Sequence, residues 1–296
     1  MFNLKVLNSI NEFMSKYNFD FEINTELKEP NLLLLSLLSK LKEMLDSKDE
    51  NKTLKHKLYI IVDEYDNFTN GVLEGDTSLF ESVVTKNGFV KSFYAAIKEY
   101  KGNGVVDRFF ATGICPVTLN SMTTGFNIAT DISLESKYNS MVGLTHEEVR
   151  KLISELEIEK EEQDKIYNIM LEHYDGYLFS KNLTKEDKVF NGTLVMYFLK
   201  KYIDDNKNIP EELYDNNITV NYEKIENLLK LQNNTFYKDI ISDILDNNKI
   251  TSVLVSMFNL VAGFNKEDII SLLYYFGYLT ISGKSSITSD IIFKVP

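Results

Sequence analysis

The chain has 296 residues, room for roughly two domains at about 150 residues each, and its 44% apolar content suffices for packed cores. Lysine and arginine number 32 against 44 aspartates and glutamates, a formal charge of −12 that repels polyanions and argues against broad coating of DNA or RNA. One cysteine, Cys115, allows no internal disulfide, no secretory pattern opens the chain, and the most apolar run, Leu32 to Leu38 broken by Ser36, falls far short of the roughly 20 residues a membrane helix needs; a cytoplasmic protein is the expectation.

Leu4, Leu7, Ile10, Met14 and Tyr17 recur at three- and four-residue steps and predict an amphipathic helix. A second helix is expected after Pro30, from Asn31 to about Leu45, followed by a charged connection from Ser47 to His56. Leu58 to Val62 is a short apolar run rich in β-branched residues, which reads as a strand buried on both faces. After a polar loop, Phe89, Val90, Phe93, Tyr94, Ile97 and Tyr100 repeat with helical period and stop at Gly102 and Gly104. A second strand spans Val105 to Thr112 and closes at Gly113. Strand, helix and strand in this order predict parallel neighbours joined by a right-handed crossover, and so the α/β class.

From Leu144 the character changes. Thr145-His146-Glu147-Glu148 fits a capping box, with Leu144 and Val149 as its hydrophobic staple. Further helices are expected at Gln163 to Tyr174, Thr193 to Ile203, Tyr222 to Leu231, Lys238 to Leu245 and Ile269 to Phe276. Tyr278 to Ile281 and Ile287 to Val295 read as strands around a Ser-Gly-Lys-Ser turn. The division expected is 1–142 for the α/β core and 143–296 for a mainly helical region.

The chemistry concentrates where the first strand ends in Asp63-Glu64-Tyr65-Asp66. Two carboxylates at the carboxyl edge of a parallel sheet stand where open α/β folds bind their ligands. In an ATPase of this architecture the first acid, Asp63, holds magnesium and the second, Glu64, orients or deprotonates the attacking water. A solvated turn after a core strand is the other reading of these four residues.

The longer strings carry a resemblance. IIVDEYDNF at Ile60 to Phe68, GFVKSFYAAIK at Gly88 to Lys98 and DRFFATGICPVTLNSMTTGFNIATDISL at Asp107 to Leu134 resemble the AAA-ATPase-like family, whose longer members often carry a PD-(D/E)XK nuclease-like domain. GLTHEEV at Gly143 to Val149, HYDGYLFS at His173 to Ser180, VFNGTLVMYFLKKY at Val189 to Tyr202 and LLYYFGYLTI at Leu272 to Ile281 keep the family's order. The resemblance implies a P-loop NTPase-like core with ATP and Mg2+ as cofactors, followed by a helical, winged-helix-like lid. It gives Asp63 and Glu64 the Walker B roles and Thr112 the polar sensor position near the γ-phosphate. It matches Arg108 to an arginine the family has before this strand, for which a salt bridge is the alternative to phosphate contact. Asp66 also matches the motif, with loop hydrogen bonding as the alternative to metal contact. Asn127, next to Phe126, is expected to tie its own loop together.

The sequence also departs from the family. No glycine-rich phosphate loop with its lysine precedes Asp63, although such a loop supplies the backbone donors, the lysine and the hydroxyl that hold the triphosphate and its metal. Gly283-Lys284-Ser285 spells the end of that motif, but the preceding Gly277 is one residue too distant and a strand-like run follows; a hairpin turn is expected there. Leu178 stands where the family commonly has arginine, and the sequence stops at Pro296 with no nuclease-like module after it. These departures imply a fragment inactive alone, binding nucleotide if completed by a phosphate-loop segment and passing motion to a nuclease-like module or protein partner. The alternative is a non-catalytic pseudo-ATPase that serves as a protein-interaction module. Cys115, His146 and His173 lack metal-site spacing, and both histidines are expected at the surface.

Overall fold

The computed structural model describes residues 2–24, 26–27, 29–49, 54, 56–66, 89–116, 129–214, 236–256, 258, 264–286, 288 and 290–296. The chain is α/β and divides into two compact units, Met1–Thr130 and Asp131–Pro296. The expected helix at Tyr222 to Leu231, the polar loop after Asp66 and the Phe126-Asn127 pair lie outside the described residues.

In the first unit, α1 (Phe2–Lys16) packs on α2 (Pro30–Leu45). Pro30 sits in the first turn of α2, where its missing N–H leaves no bond unmade. Leu33, Leu34, Leu37, Leu38 and Leu41 recur along one side of α2 and are buried. β1 (Leu58–Val62) and β2 (Val106–Ala111) pair in parallel, with α3 (Phe89–Gly102) between them in sequence. α3 turns Phe93, Tyr94, Ala96 and Ile97 inward and packs against α2 and β2.

The exit from α3 explains its glycines. The Val105 N–H bonds the Tyr100 carbonyl at 3.0 Å and the Gly104 N–H bonds the Lys101 carbonyl at 3.2 Å, with Gly104 at φ 79°. This is a Schellman ending, which needs a left-handed residue at that step. It delivers Val105 straight into the ladder, where its carbonyl accepts from the Leu58 N–H at 2.9 Å.

The expectation that the first strand is buried on both faces is corrected. Its side chains alternate: Leu58, Ile60 and Val62 are half-buried, whereas Tyr59 is 64% and Ile61 73% exposed. The register puts Tyr59 beside Arg108 and Ile61 beside Phe110 on one face, and Ile60 beside Phe109 on the other. Phe109 meets the Tyr94 ring edge-on, so α3 covers the second face and leaves the first open. An apolar run predicts a strand but carries no period-two signal to say that only one face is covered.

The second unit begins with the capping box as expected. Thr145 precedes α4 (His146–Ser154) and its hydroxyl accepts from the Glu148 N–H at 3.2 Å, while the Glu148 carboxylate accepts from the Thr145 N–H at 2.8 Å. Those hydrogen bonds hold the Glu148 carboxyl below its ordinary range. α4, α5 (Lys160–His173) and α6 (Gly192–Asp204) close around Val149, Ile153, Ile166, Met170, Phe190 and Phe198, with Leu144 packed against the same cluster. Between α5 and α6 a two-stranded antiparallel ribbon forms from β3 (Asp175–Tyr177) and β4 (Val189–Phe190).

The remainder of this unit is α7 (Phe236–Asn247), β5 (Ile250–Ser252), α8 (Lys266–Tyr275), β6 (Thr280–Lys284) and β7 (Ile291–Lys294), with antiparallel strand order β5-β7-β6. The expected turn at Gly283-Lys284-Ser285 is corrected in detail: Gly283 and Lys284 belong to β6 and pair with Ile292 and Ile291. The hairpin closes one step later, where the Ser285 N–H bonds the Asp290 carbonyl at 2.9 Å. The antiparallel ladder carries the chain on as a strand, whereas a phosphate loop needs a helix after its Lys-Ser.

Candidate functional site

The parallel register Val62 to Ala111 brings the next residues of the two strands, Asp63 and Thr112, side by side at the carboxyl edge. The Thr112 N–H donates to the Val62 carbonyl at 2.9 Å, and the Thr112 carbonyl accepts from the Tyr65 N–H at 2.8 Å. Residues 63 and 64 are thus clasped between two bonds to one threonine. Within the clasp the Thr112 hydroxyl donates to Asp63 Oδ1, which also accepts from the Glu64 N–H at 3.1 Å. Asp63 and Glu64 are both exposed.

Glu64 has φ 51°, the left-handed region that a non-glycine residue enters at a cost. The two bonds to Thr112 hold it there, so the turn is fixed by the neighbouring strand rather than by the preference of Glu64 itself. The outcome is a sharp corner with two adjacent carboxylates on its outer side.

Asp66 plays a different part. It is 5% exposed, and its Oδ2 accepts from the Ile114 N–H at 3.0 Å and the Cys115 N–H at 2.8 Å. Tyr65 completes the tie by donating from its hydroxyl to the Cys115 carbonyl at 3.1 Å. A buried carboxylate bonded to two backbone donors fixes one loop to another, so the hydrogen-bonding reading of Asp66 is the one its surroundings support. Burial raises the Tyr94 hydroxyl far above its ordinary range, and the Asp66 charge adds to this.

Gly113 is required by close approach. A Cβ there would lie 2.4 Å from Tyr65 Cε1 and 2.7 Å from Asp66 Oδ1. Sequence reasoning saw Gly113 as a strand terminator and missed this contact. It also missed the direct Asp63–Thr112 bond, although a threonine ending the neighbouring parallel strand was a usable signal.

Arg108 is not brought to this corner. It pairs with Tyr59, its guanidinium lies 5.9 Å from that ring centre, and its Nε is 3.8 Å from Asp107. It stands four residues before Thr112, about 13 Å back along an extended strand.

In the second unit, the two histidines expected at the surface are partly covered. His146 is half-buried: its Nδ1 is 2.8 Å from the Tyr167 hydroxyl, its Nε2 is 3.7 Å from Asp175, and its ring packs edge-on against Phe190. His173 is also half-buried, with Nδ1 3.1 Å from the Tyr214 hydroxyl. These partners lie far away in sequence, where local pattern gives no warning. Leu178 is buried, and its backbone N–H donates to the Thr280 hydroxyl at 2.7 Å.

Among the described residues no three histidine, cysteine, aspartate or glutamate side chains gather to hold a metal ion. The carboxyl-edge corner instead suits a hard cation that takes one or two carboxylates and draws its remaining ligands from phosphate oxygens and water, as magnesium does. Asp63 Oδ1 is already occupied as an acceptor, which leaves Oδ2 as the oxygen of that carboxylate for such a role. No helix among the described residues is long and apolar enough to cross a membrane. A family model described as "Predicted AAA-ATPase" matches residues 2–123, which contain this corner. No curated protein and no solved structure matches the chain.

Proposed function

We propose, from the premise that this chain is a member of the AAA-ATPase-like family through residues 2–123, that the corner formed by Asp63, Glu64 and Thr112 is the metal and water side of an ATP site. The observation that carries this reading is the clasp of the Asp63-Glu64 turn by Thr112 at the carboxyl edge of two parallel strands. In it Asp63 would hold Mg2+, which would supply neutralisation of phosphate charge. Glu64 orients or deprotonates the attacking water, and the Thr112 hydroxyl fixes the Asp63 carboxylate while standing near the terminal phosphate. Asp66 and Arg108 enter as structural neighbours: Asp66 ties the two loops, and Arg108 lies over Tyr59 on the open sheet face.

The sequence holds no phosphate-cradling loop ahead of Asp63. The corner therefore acts on a nucleotide whose phosphates are gripped by other groups, and the chain by itself holds ATP weakly and turns it over little. The wider reading keeps the parts already named: a P-loop NTPase-like core over residues 1–142, a helical lid over 143–296 containing α8 and its three-stranded sheet as a winged-helix-like element, a cytoplasmic setting, and a nuclease-like module or protein partner that receives the motion. The alternative, a pseudo-ATPase that serves as an interaction module, is favoured by the apolar sheet face that carries exposed Tyr59, Ile61 and Phe110.

Calorimetric titration with ATP at millimolar concentration, with and without Mg2+, separates the two. The ATPase reading expects weak binding that requires Mg2+ and disappears in Asp63→Asn. Binding that ignores Mg2+ and Asp63, or no binding at all, favours the interaction module.

A further inference from the structure

A pocket of 280 Å³ opens in the second unit where the β3–β4 ribbon meets the three-stranded sheet, at the bond from the Ile281 N–H to the Leu178 carbonyl. Lys185, Lys188 and Lys294 all line it, in a chain whose formal charge is −12. Each is placed by local structure: Lys294 by its register opposite Thr280, Lys188 by its position directly before β4, and Lys185 by the short 3-10 turn Lys185–Asp187. Leu178 and Ile281 form the apolar wall, and Ser282 adds a hydroxyl.

Three lysines line this pocket against one acidic residue, Glu186, with Asp175 and Asp187 nearby but outside the lining. Asp175 stands 4.0 Å from the Lys188 ammonium and also faces His146 Nε2 at 3.7 Å. Glu186 lines the pocket as an ionised carboxylate turned toward Thr184, and Asp187 accepts from the Thr184 N–H at 2.9 Å. Lys294 lines the same pocket as Lys188, which puts two like charges in a partly buried place. Burial first, and then Lys188 and Lys185, push Lys294 below the ordinary lysine range, with Asp175 opposing. An exposed lysine avoids such a neighbour by swinging into water; here only 17% of the Lys188 side chain is accessible.

We propose that this pocket binds a small phosphate-bearing anion, held by the Lys185, Lys188 and Lys294 ammonium groups with Ser282 at the rim. Lysine binds phosphate as a point charge, and three lysines lining one pocket match a compact multivalent anion better than a single carboxylate. The site lies within the second unit and does not depend on the nucleotide reading of Asp63.

Thermal unfolding and calorimetry of the full chain with pyrophosphate test it, with citrate as the carboxylate comparison. Pyrophosphate raises the melting temperature of the wild type, and Lys294→Gln binds it at least tenfold more weakly. Lys294→Gln removes one of the like charges, so without anion it melts no lower than the wild type, which separates lost binding from lost folding. Exposed Lys201→Gln binds as the wild type does, and the titration is run without Mg2+, so the failure of the nucleotide reading leaves this result standing. Absence of stabilisation by pyrophosphate, equal binding by Lys294→Gln, or citrate binding as tightly as pyrophosphate overturns the proposal.

Discussion

The two units are held together in different ways. The second rests on a continuous apolar core, in which Val149, Ile166, Met170, Phe190, Val195 and Phe198 are essentially inaccessible. The first leaves one face of its two described strands open at Tyr59 and Ile61, and spends its polar groups at the strand ends, where Asp66, Tyr65 and Thr112 stitch two loops together. In the one, packing defines the structure and the polar groups cap helices. In the other, a hydrogen-bonded corner defines the structure at the strand ends.

Substitutions sharpen this contrast. Phe198→Ala removes an inaccessible aromatic from the second core, and about 3–5 kcal/mol of stability should be lost in denaturant unfolding. Asp66→Ala strands one buried and one partly buried backbone donor, and about 2–4 kcal/mol should be lost from the first unit. Asp66→Asn keeps an acceptor and should recover part of that. Loss of protection at Ile114 and Cys115 in hydrogen exchange locates the effect. If Asp66→Ala is silent while Phe198→Ala is not, the corner is looser than described and the contrast between the units fails.

The smallest effect concerns the cap of α4. Thr145→Ala should cost about 1 kcal/mol. The Glu148 carboxyl titrates below its unfolded value, so its contribution is complete above the ordinary carboxylate range and is lost as pH falls through the lowered folded value. An acid titration of stability should therefore show a shallower decline in Glu148→Gln, which removes the titrating carboxyl, than in the wild type. An identical decline would remove the capping box as its source.

Much of the fold was legible because it is encoded locally. The Leu33 to Leu41 stripe, the Thr145–Glu148 box and the glycines after α3 each specify a helix or its end within a few residues. The parallel pairing of β1 and β2 followed from the helix between them. The open face of β1 was hidden, since five apolar residues read alike whether one face or two are covered. β3, β4 and β5 were hidden as well: at two or three residues they exist through long-range partners rather than through their own composition. At the corner, residue types pointed to Asp63 and Glu64 and the family resemblance to Thr112, but their mutual bonds and the crowding at Gly113 depend on strand register, and Asp66 declared its role only through the loop it holds.

The most direct measurement places a paramagnetic metal on the corner. With Mn2+ and ATP at millimolar concentration, the amide resonances of residues 63–66 and 112–115 should broaden before others in the first unit, and Asp63→Asn should abolish that broadening. Signals that broaden elsewhere while these stay sharp, or that broaden equally in Asp63→Asn, would contradict the assignment of this corner to a metal-bound nucleotide.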